Sequence, residues 1–298
     1  MTKNNSLSRD DEIKELIADS KLRIKLYDYI RTKSDVLIAN TTEEFFPLNT
    51  PLNNDEFASR LKRYEESSAD LITAMLLIGL WGTLDHHPSI SVPVKQFSMQ
   101  LGKDTRDNIW TSLRLYPLAL LMYAIGIGAV TANNYPILYT FFQSTFNILS
   151  YPFNSVPLVY AIQEGFHTAR GSFELLPDHK KHFSPAGEYL FTFFKSQLND
   201  ISLLGNEYED IFDRFELIYA LQYAHEREKI SGNIWGPAGK SGWKYSRGVD
   251  DEPFRRLCDE ASRNKEAWIP LGSGFFGGSY DQFEKLALKY AQDLKSYH

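Results

Sequence analysis

One cysteine, Cys258, in 298 residues excludes an internal disulfide and any cluster of thiolate metal ligands. Positive charge is not in excess either. Lys and Arg number 32 against 38 Asp and Glu, a formal net charge of −6. That excludes a whole-molecule field of the kind that holds nucleic acid and leaves only local basic patches. The first residues, MTKNNSLSRDDEIKE, are polar and acidic, so no secretory signal is expected, and a reducing cytoplasm fits. Long apolar runs are missing as well. LITAMLLIGLWG (71–82) and LYPLALLMYAIGIGAV (115–130) both fall short of the ~20 residues a membrane span needs. The second also carries Pro117 and two glycines, and both read as buried core helices with no membrane contact. Period-two alternation is scarce: SISVPV (89–94) is the best strand candidate, and its proline weakens it.

What the chain does have is apolar and aromatic material: 43% hydrophobic residues, with 20 Phe and 17 Tyr. That suits a large aromatic-packed core in one large domain or two ordinary ones. Apolar positions Ile13, Leu16, Ile17, Ile24, Tyr27 and Ile30 recur at helical spacing from Arg9 to about Thr32. After a polar, Pro-containing link (41–54), Asn54 is expected to cap a long helix. Its first half is amphipathic (Phe57, Leu61, Tyr64) and its second is apolar on nearly every face, as in a helix inside the protein. A short helix near 94–101, another from about Thr105 that Pro117 kinks or ends, and a second buried helix over 118–132 follow. Further helices are expected near 136–149, 156–166, 184–199, 206–230, 250–267 and 279–296. The fold class read from this is all-α: an irregular multi-helix bundle with two apolar central helices and Gly-rich loops at 231–249 and 271–278. Residues 1–9 read as a disordered N-terminus. Residues 10–150 and 151–298 read as two helical subdomains packed together, or as one domain, since the boundary near 150–185 is soft.

Motifs of catalysis fail one by one. GPAGKS (236–241) resembles a phosphate-cradling loop, but the position that must be the first glycine is Ile234, and the stretch follows a charged helix where a buried strand is required. GSGFFG (272–277) satisfies GxGxxG, yet no second strand with a ribose-binding acid follows it. HEREK (225–229) has Lys229 where a zinc-protease helix needs its second histidine. DHKKH (178–182) offers two histidines without a third ligand, so no metal and no cofactor are expected. His86 and His87 are expected to cap the buried helix before them, and no GxSxG elbow supports a triad of His167, Asp178 and a serine. One local feature survives. Between Glu228 and Asp250 there is no acid, while Lys229, Lys240, Lys244 and Arg247 are interleaved with Trp235, Trp243 and Tyr245. Cations beside aromatic faces hold phosphates, bases or acidic peptides. The candidate ligand-binding residues are therefore Trp235, Lys240, Trp243, Lys244 and Arg247. The competing reading is that the tryptophans pin a Gly-rich loop to the core while the charges face water.

Three passages, RYEESSADLITAMLLIGLWG (63–82), IWTSLRLYPLALLMYAIGIGAVTANNYPIL (109–138) and DRFELIYALQYAHEREKISGNIWGPAGKSGWKY (213–245), resemble in order and spacing a helical region near the C-terminus of large bacterial defence-type proteins. Those proteins carry sirtuin-like, TIR-like or ATPase-like effector domains at the other end. The resemblance covers about two thirds of the chain and implies a region that senses or assembles while another domain carries the enzyme. No catalytic residue carries over. The function expected on these grounds is a non-catalytic recognition or scaffold protein acting through protein contacts, with an effector enzyme or a phage protein as partner. The alternative is a nucleotide- or nucleic-acid-binding accessory, or an unrecognised enzyme, using loop 232–247.

Overall fold

The structure, a computed structural model, describes residues 9–101, 108–147, 155–198 and 207–296. Those residues form an all-α, multi-helix fold with one two-stranded ribbon. The N-terminal stretch read as disordered lies outside the described residues except for Arg9, which opens α1 (Arg9–Ala18). α2 is Arg23–Asn40.

The helix expected after the polar link is α3 (Asn54–Trp81). Its cap is Asn53, one residue earlier than expected, whose side chain accepts the Glu56 N–H at 2.9 Å. Asp55 and Glu56 then lie where a helix N-terminus favours negative charge. α3 stops at Gly82, and the Asn134 side chain donates to the carbonyls of Gly79 (3.1 Å) and Gly82 (2.8 Å). Carbonyls at this end are thus met by the chain's own Gly82 N–H, which donates to Ile78, and by Asn134, not by the histidines. His86 instead accepts the Thr83 N–H at 2.9 Å in the following turn, and His87 begins α4.

α4 (His87–Leu101) corrects the reading of 89–94. The stretch is helical, with Pro93 inside it. Alternating Ile90, Val92 and Val94 are buried, but so are Ser89, Ser91 and Pro93 between them. The apparent period of two was therefore one half of an all-round burial. A proline in a helix interior costs ~3 kcal/mol, and α4 bears it because α2, α6 and α7 pack around it.

The start expected near Thr105 lies outside the described residues. α5 (Ile109–Leu113) is capped by Asn108, which accepts from Thr111 N at 2.9 Å. Pro117 neither kinks nor ends a helix. It sits in the first turn of α6 (Tyr116–Thr131), where its missing N–H costs nothing. Taken together, 109–131 is 23 residues whose most apolar 18-residue window has mean hydropathy 1.7, long and apolar enough to cross a membrane by those measures, and that window is wholly buried within the fold. α3 and α6 are the most closely associated pair of elements. Gly79 and Gly128 meet at their crossing: a Cβ on Gly79 would lie 2.4 Å from the Ile125 carbonyl oxygen, and one on Gly128 would lie 2.3 Å from that of Leu76.

The helix expected over 136–149 is shorter. α7 (Tyr135–Phe142) gives way to β1 (Thr145–Asn147), which pairs antiparallel with β2 (Ser155–Pro157), Phe146 opposite Val156. Three-residue strands carry too little pattern to read. α8 (Leu158–Gly171), α9 (Pro185–Leu198), α10 (Tyr208–Ser231), α11 (Gly242–Ser246), α12 (Pro253–Asn264), α13 (Ile269–Gly272) and α14 (Tyr280–Ser296) complete the fold. The apolar core is continuous across residue 150. Tyr123 of α6 meets Phe215 of α10 edge-on at 4.8 Å, and Phe142 packs against both Tyr219 and Phe275. The GxGxxG stretch serves this core. Gly274 (φ 103°) and Gly277 (φ 69°) turn the chain so that Phe275 and Phe276 are fully buried, and the Phe276 N–H donates to buried Gln222.

Candidate functional site

α10 ends at Gly232 (φ 72°), whose left-handed conformation is the usual helix stop. The chain then doubles back along α10. Trp235 meets Tyr223 edge-on at 6.0 Å, Gly236 lies on Ala220, Gly239 lies on Glu216, and Lys240 and Lys244 reach Asp213 and Glu209. Residues 223, 220, 216, 213 and 209 are steps of three and four along one helix face. The glycines of GPAGKSG serve this close approach: a Cβ on Gly236 would lie 2.6 Å from the Ala220 carbonyl oxygen, and one on Gly239 would lie 2.6 Å from Glu216 Oε2.

The anion facing this loop belongs to the protein. Glu216, 2% exposed, accepts the Lys240 backbone N–H at 2.6 Å and the Tyr123 hydroxyl at 2.8 Å. Burial pushes its carboxyl above the usual carboxylate range, against the opposing pull of Arg170 and the two hydrogen bonds. The Lys240 ammonium, 7% exposed, stands 4.1 Å over the Phe191 ring, 2.9 Å from Glu209 Oε1 and 3.7 Å from Asp213 Oδ1. The Lys244 ammonium lies 2.9 Å from the same Glu209 oxygen and 3.1 Å from Asp213 Oδ2. Asp213 is fully buried and its carboxyl is raised by that burial, with the two lysines pulling the other way. Glu209, half exposed, is pulled down to about 2, chiefly by its hydrogen bonds to the two lysines.

Of the five candidate residues, then, the structure unites Lys240 and Lys244 in one ionic cluster. Trp235 belongs to a separate cluster at the other end of the loop, with Arg227 5.3 Å over its ring and Tyr160 stacked on Tyr223. Arg247 stands over Trp243 at 5.6 Å. The charges of Lys240 and Lys244 do not simply face water, and Trp235 does pack against the body of the protein. The residues missed from sequence are the acids, 24 to 31 positions before Lys240. The signal available was Asp213 and Glu216 falling among Phe212, Phe215 and Tyr219 on a buried stretch of helix.

Two opposed titrations follow. Glu209 is depressed, so its ion pairs stabilise the fold above its ordinary value near 4.5, and that contribution fades as pH falls toward about 2. Asp213 and Glu216 are raised, so their contribution is present below the usual carboxylate range and is lost as pH rises through their elevated values. Melting wild type and Glu209→Gln side by side from pH 6 to pH 2.5 is expected to show a wild-type advantage that shrinks steadily below about pH 4.5. A constant gap would remove the ion pairs from the account.

Elsewhere, Glu65 accepts both the Tyr116 and Tyr189 hydroxyls, at 2.7 and 2.8 Å, and burial raises its carboxyl. His179 and His182 of the DHKKH stretch have rings 5.8 Å apart. Among the described residues, no group of three or more His, Cys, Asp or Glu side chains is arranged to hold a metal ion. In the HEREK stretch, Glu226 is buried and takes hydrogen bonds from Gln143, Gln222 and Lys229. Cys258 is half buried, and burial raises its thiol to about 12, far from the thiolate range of a nucleophile.

By fold the chain is an all-α protein whose best-defined polar feature is a buried ionic seat for one loop. Comparison with protein-family models, with curated proteins and with solved structures finds no match for it.

Proposed function

We propose that the chain is a non-catalytic helical recognition or scaffold protein that works through protein contacts. The observation that supports this reading is three large exposed apolar side chains on two segments that an ion pair joins, Arg23 to Asp85. Trp81 (45% exposed) closes α3, Leu84 (58%) stands in the next turn, and Ile24 (75%) lies in the first turn of α2. The Lys14 ammonium lies 5.9 Å from the Trp81 ring centroid, and Arg23 pairs with Asp85 at 2.9 Å, so charged groups border the three. Single exposed apolar residues are ordinary, whereas large ones gathered within a charged border mark contact surfaces, and tryptophan is prominent among residues that anchor them. The setting, bacterial anti-phage defence in the cytoplasm with an effector enzyme or phage protein as partner, rests on the resemblance of the three helical passages.

The test is affinity capture from the native host, with and without phage challenge, using wild type and Trp81→Asp/Leu84→Asp in parallel. A stoichiometric partner held by wild type and lost from the variant is the expected result. A wild-type monomer that captures nothing under either condition sinks the reading. A second reading, in which loop 232–247 holds a nucleotide or nucleic acid, requires Glu209 to give way first.

A further inference from the structure

We infer that Lys240 and Lys244 form an oxyanion site whose resident occupant is the chain's own Glu209 carboxylate, and that a phosphate group takes the place of that carboxylate when Glu209 swings outward. The geometry carries this. Both ammoniums converge at 2.9 Å on a single oxygen, Glu209 Oε1, as two cations would on one oxygen of a bound anion. The donors are held from below. Asp213, fully buried, lies 3.1 Å from Lys244 and 3.7 Å from Lys240, and the Phe191 ring lies 4.1 Å beneath Lys240. The occupant, by contrast, is the most accessible member of the cluster: Glu209 is half exposed and lies in the first turn of α10, where an outward rotation of its side chain leaves the helix in place.

The charge balance favours phosphate over a second carboxylate. With Glu209 turned away, two ammoniums face one buried carboxylate, and the site carries one net positive charge. A phosphate at neutral pH brings between one and two negative charges and three acceptor oxygens, enough to serve both lysines at once, and lysine serves phosphate as a point charge. Glu216 does not compete for the ammoniums, because its carboxylate is engaged by the Lys240 backbone N–H and the Tyr123 hydroxyl. The loop's likeness to a phosphate cradle thus has a physical counterpart. Its backbone donor is spent on Glu216, while its lysine is masked by a carboxylate that can leave. The site is separate from the apolar group at Trp81 and stands or falls independently of it.

An internal competitor lowers apparent affinity in proportion to the fraction of molecules in which it is displaced. If Glu209 sits on the lysines in nine molecules of ten, removing its charge tightens phosphate binding about tenfold. The experiment is calorimetric titration of inorganic phosphate, and separately of adenosine monophosphate, into wild type, Glu209→Gln and Glu209→Gln/Lys240→Ala. Ionic strength is held constant with chloride, because ion pairs of this kind are screened by salt. Glu209→Gln should bind phosphate about tenfold tighter than wild type or better, and the double variant should lose that gain. Equal affinity for the two ligands assigns the site to the phosphate group alone; tighter binding of the nucleotide extends it to a larger phosphorylated ligand. The inference is overturned if Glu209→Gln binds neither ligand more tightly than wild type, or if the double variant binds as well as the single one. A reading on the unaltered chain covers the case of a variant that misfolds. The side-chain ammonium resonances of Lys240 and Lys244 should move on titration with phosphate, and stationary resonances overturn the inference as firmly.

Discussion

Glu216→Ala is expected to destabilise the fold by about 2–5 kcal/mol, the cost of leaving two buried donors without their acceptor. The substitution strands two buried donors and takes a nearby charge from Arg170, which keeps its hydrogen bond to Gln163 at 3.1 Å. The Tyr123 hydroxyl loses its acceptor at 2.8 Å and the Lys240 N–H loses its acceptor at 2.6 Å. Each buried donor left unpaired costs ~1–3 kcal/mol. The carboxylate's own burial is unfavourable, as its raised pKa shows, so a change that also removes a stranded partner should recover part of the loss. Urea unfolding of Glu216→Ala, Tyr123→Phe and the double variant measures this. The double should be less destabilised than the sum of the singles, by ~1 kcal/mol or more. Limited proteolysis should also find loop 232–247 more readily in Glu216→Ala, because Glu216 fastens that loop to α10. Additive losses with an unchanged cleavage pattern would mean that the loop is held by its glycine contacts alone.

The second large effect is expected where α3 and α6 cross. Gly79→Ala places a methyl group 2.4 Å from the Ile125 carbonyl oxygen and 2.9 Å from the Ala129 nitrogen, both backbone atoms of a buried helix. A side chain can rotate away, but a helix backbone must move as a unit. The cost belongs at or above the top of the 1–3 kcal/mol range for overpacked cores. Gly171→Ala supplies the contrast. That glycine ends α8 with helical backbone, and nothing lies within 4 Å of an added Cβ. Alanine there should be neutral or stabilising by up to ~1 kcal/mol. The melting temperature should therefore fall for Gly79→Ala and hold or rise for Gly171→Ala. A tolerated Gly79→Ala would show that α3 and α6 have room to separate.

Helix existence was legible in this chain, whereas helix limits and close approaches were not. The apolar run 71–82 and the stretch 118–132 announced buried helices because no face of either is polar. The start of α4 is hidden in the sequence because Ser, Ile, Val and Pro over 89–94 alternate in chemistry like a weak strand, and a buried serine looks like a solvent-facing one until its neighbours are known. Ser91, for instance, satisfies its hydroxyl on the Pro88 carbonyl at 3.0 Å and stays inside. Pro117 was read as a break because a proline's effect depends on its distance from the helix start, and that start was not visible. The loop at 232–247 was half legible. Its glycines, lysines and tryptophans stood out, yet the acids that decide what those lysines do lie on another element.

Composition and periodicity by themselves determined that this chain folds as helices around an aromatic-rich core, because burial demands follow directly from which residues repeat at which spacing. Only the tertiary structure decided which charges meet. Glu209, Asp213 and Glu216 acquire their partners when a loop some two dozen residues later returns along α10, and a contact made by the path of the chain leaves no period in the sequence. The same holds for Gly79 and Gly128, separated by 49 positions, whose lack of a side chain matters only because two helices cross there.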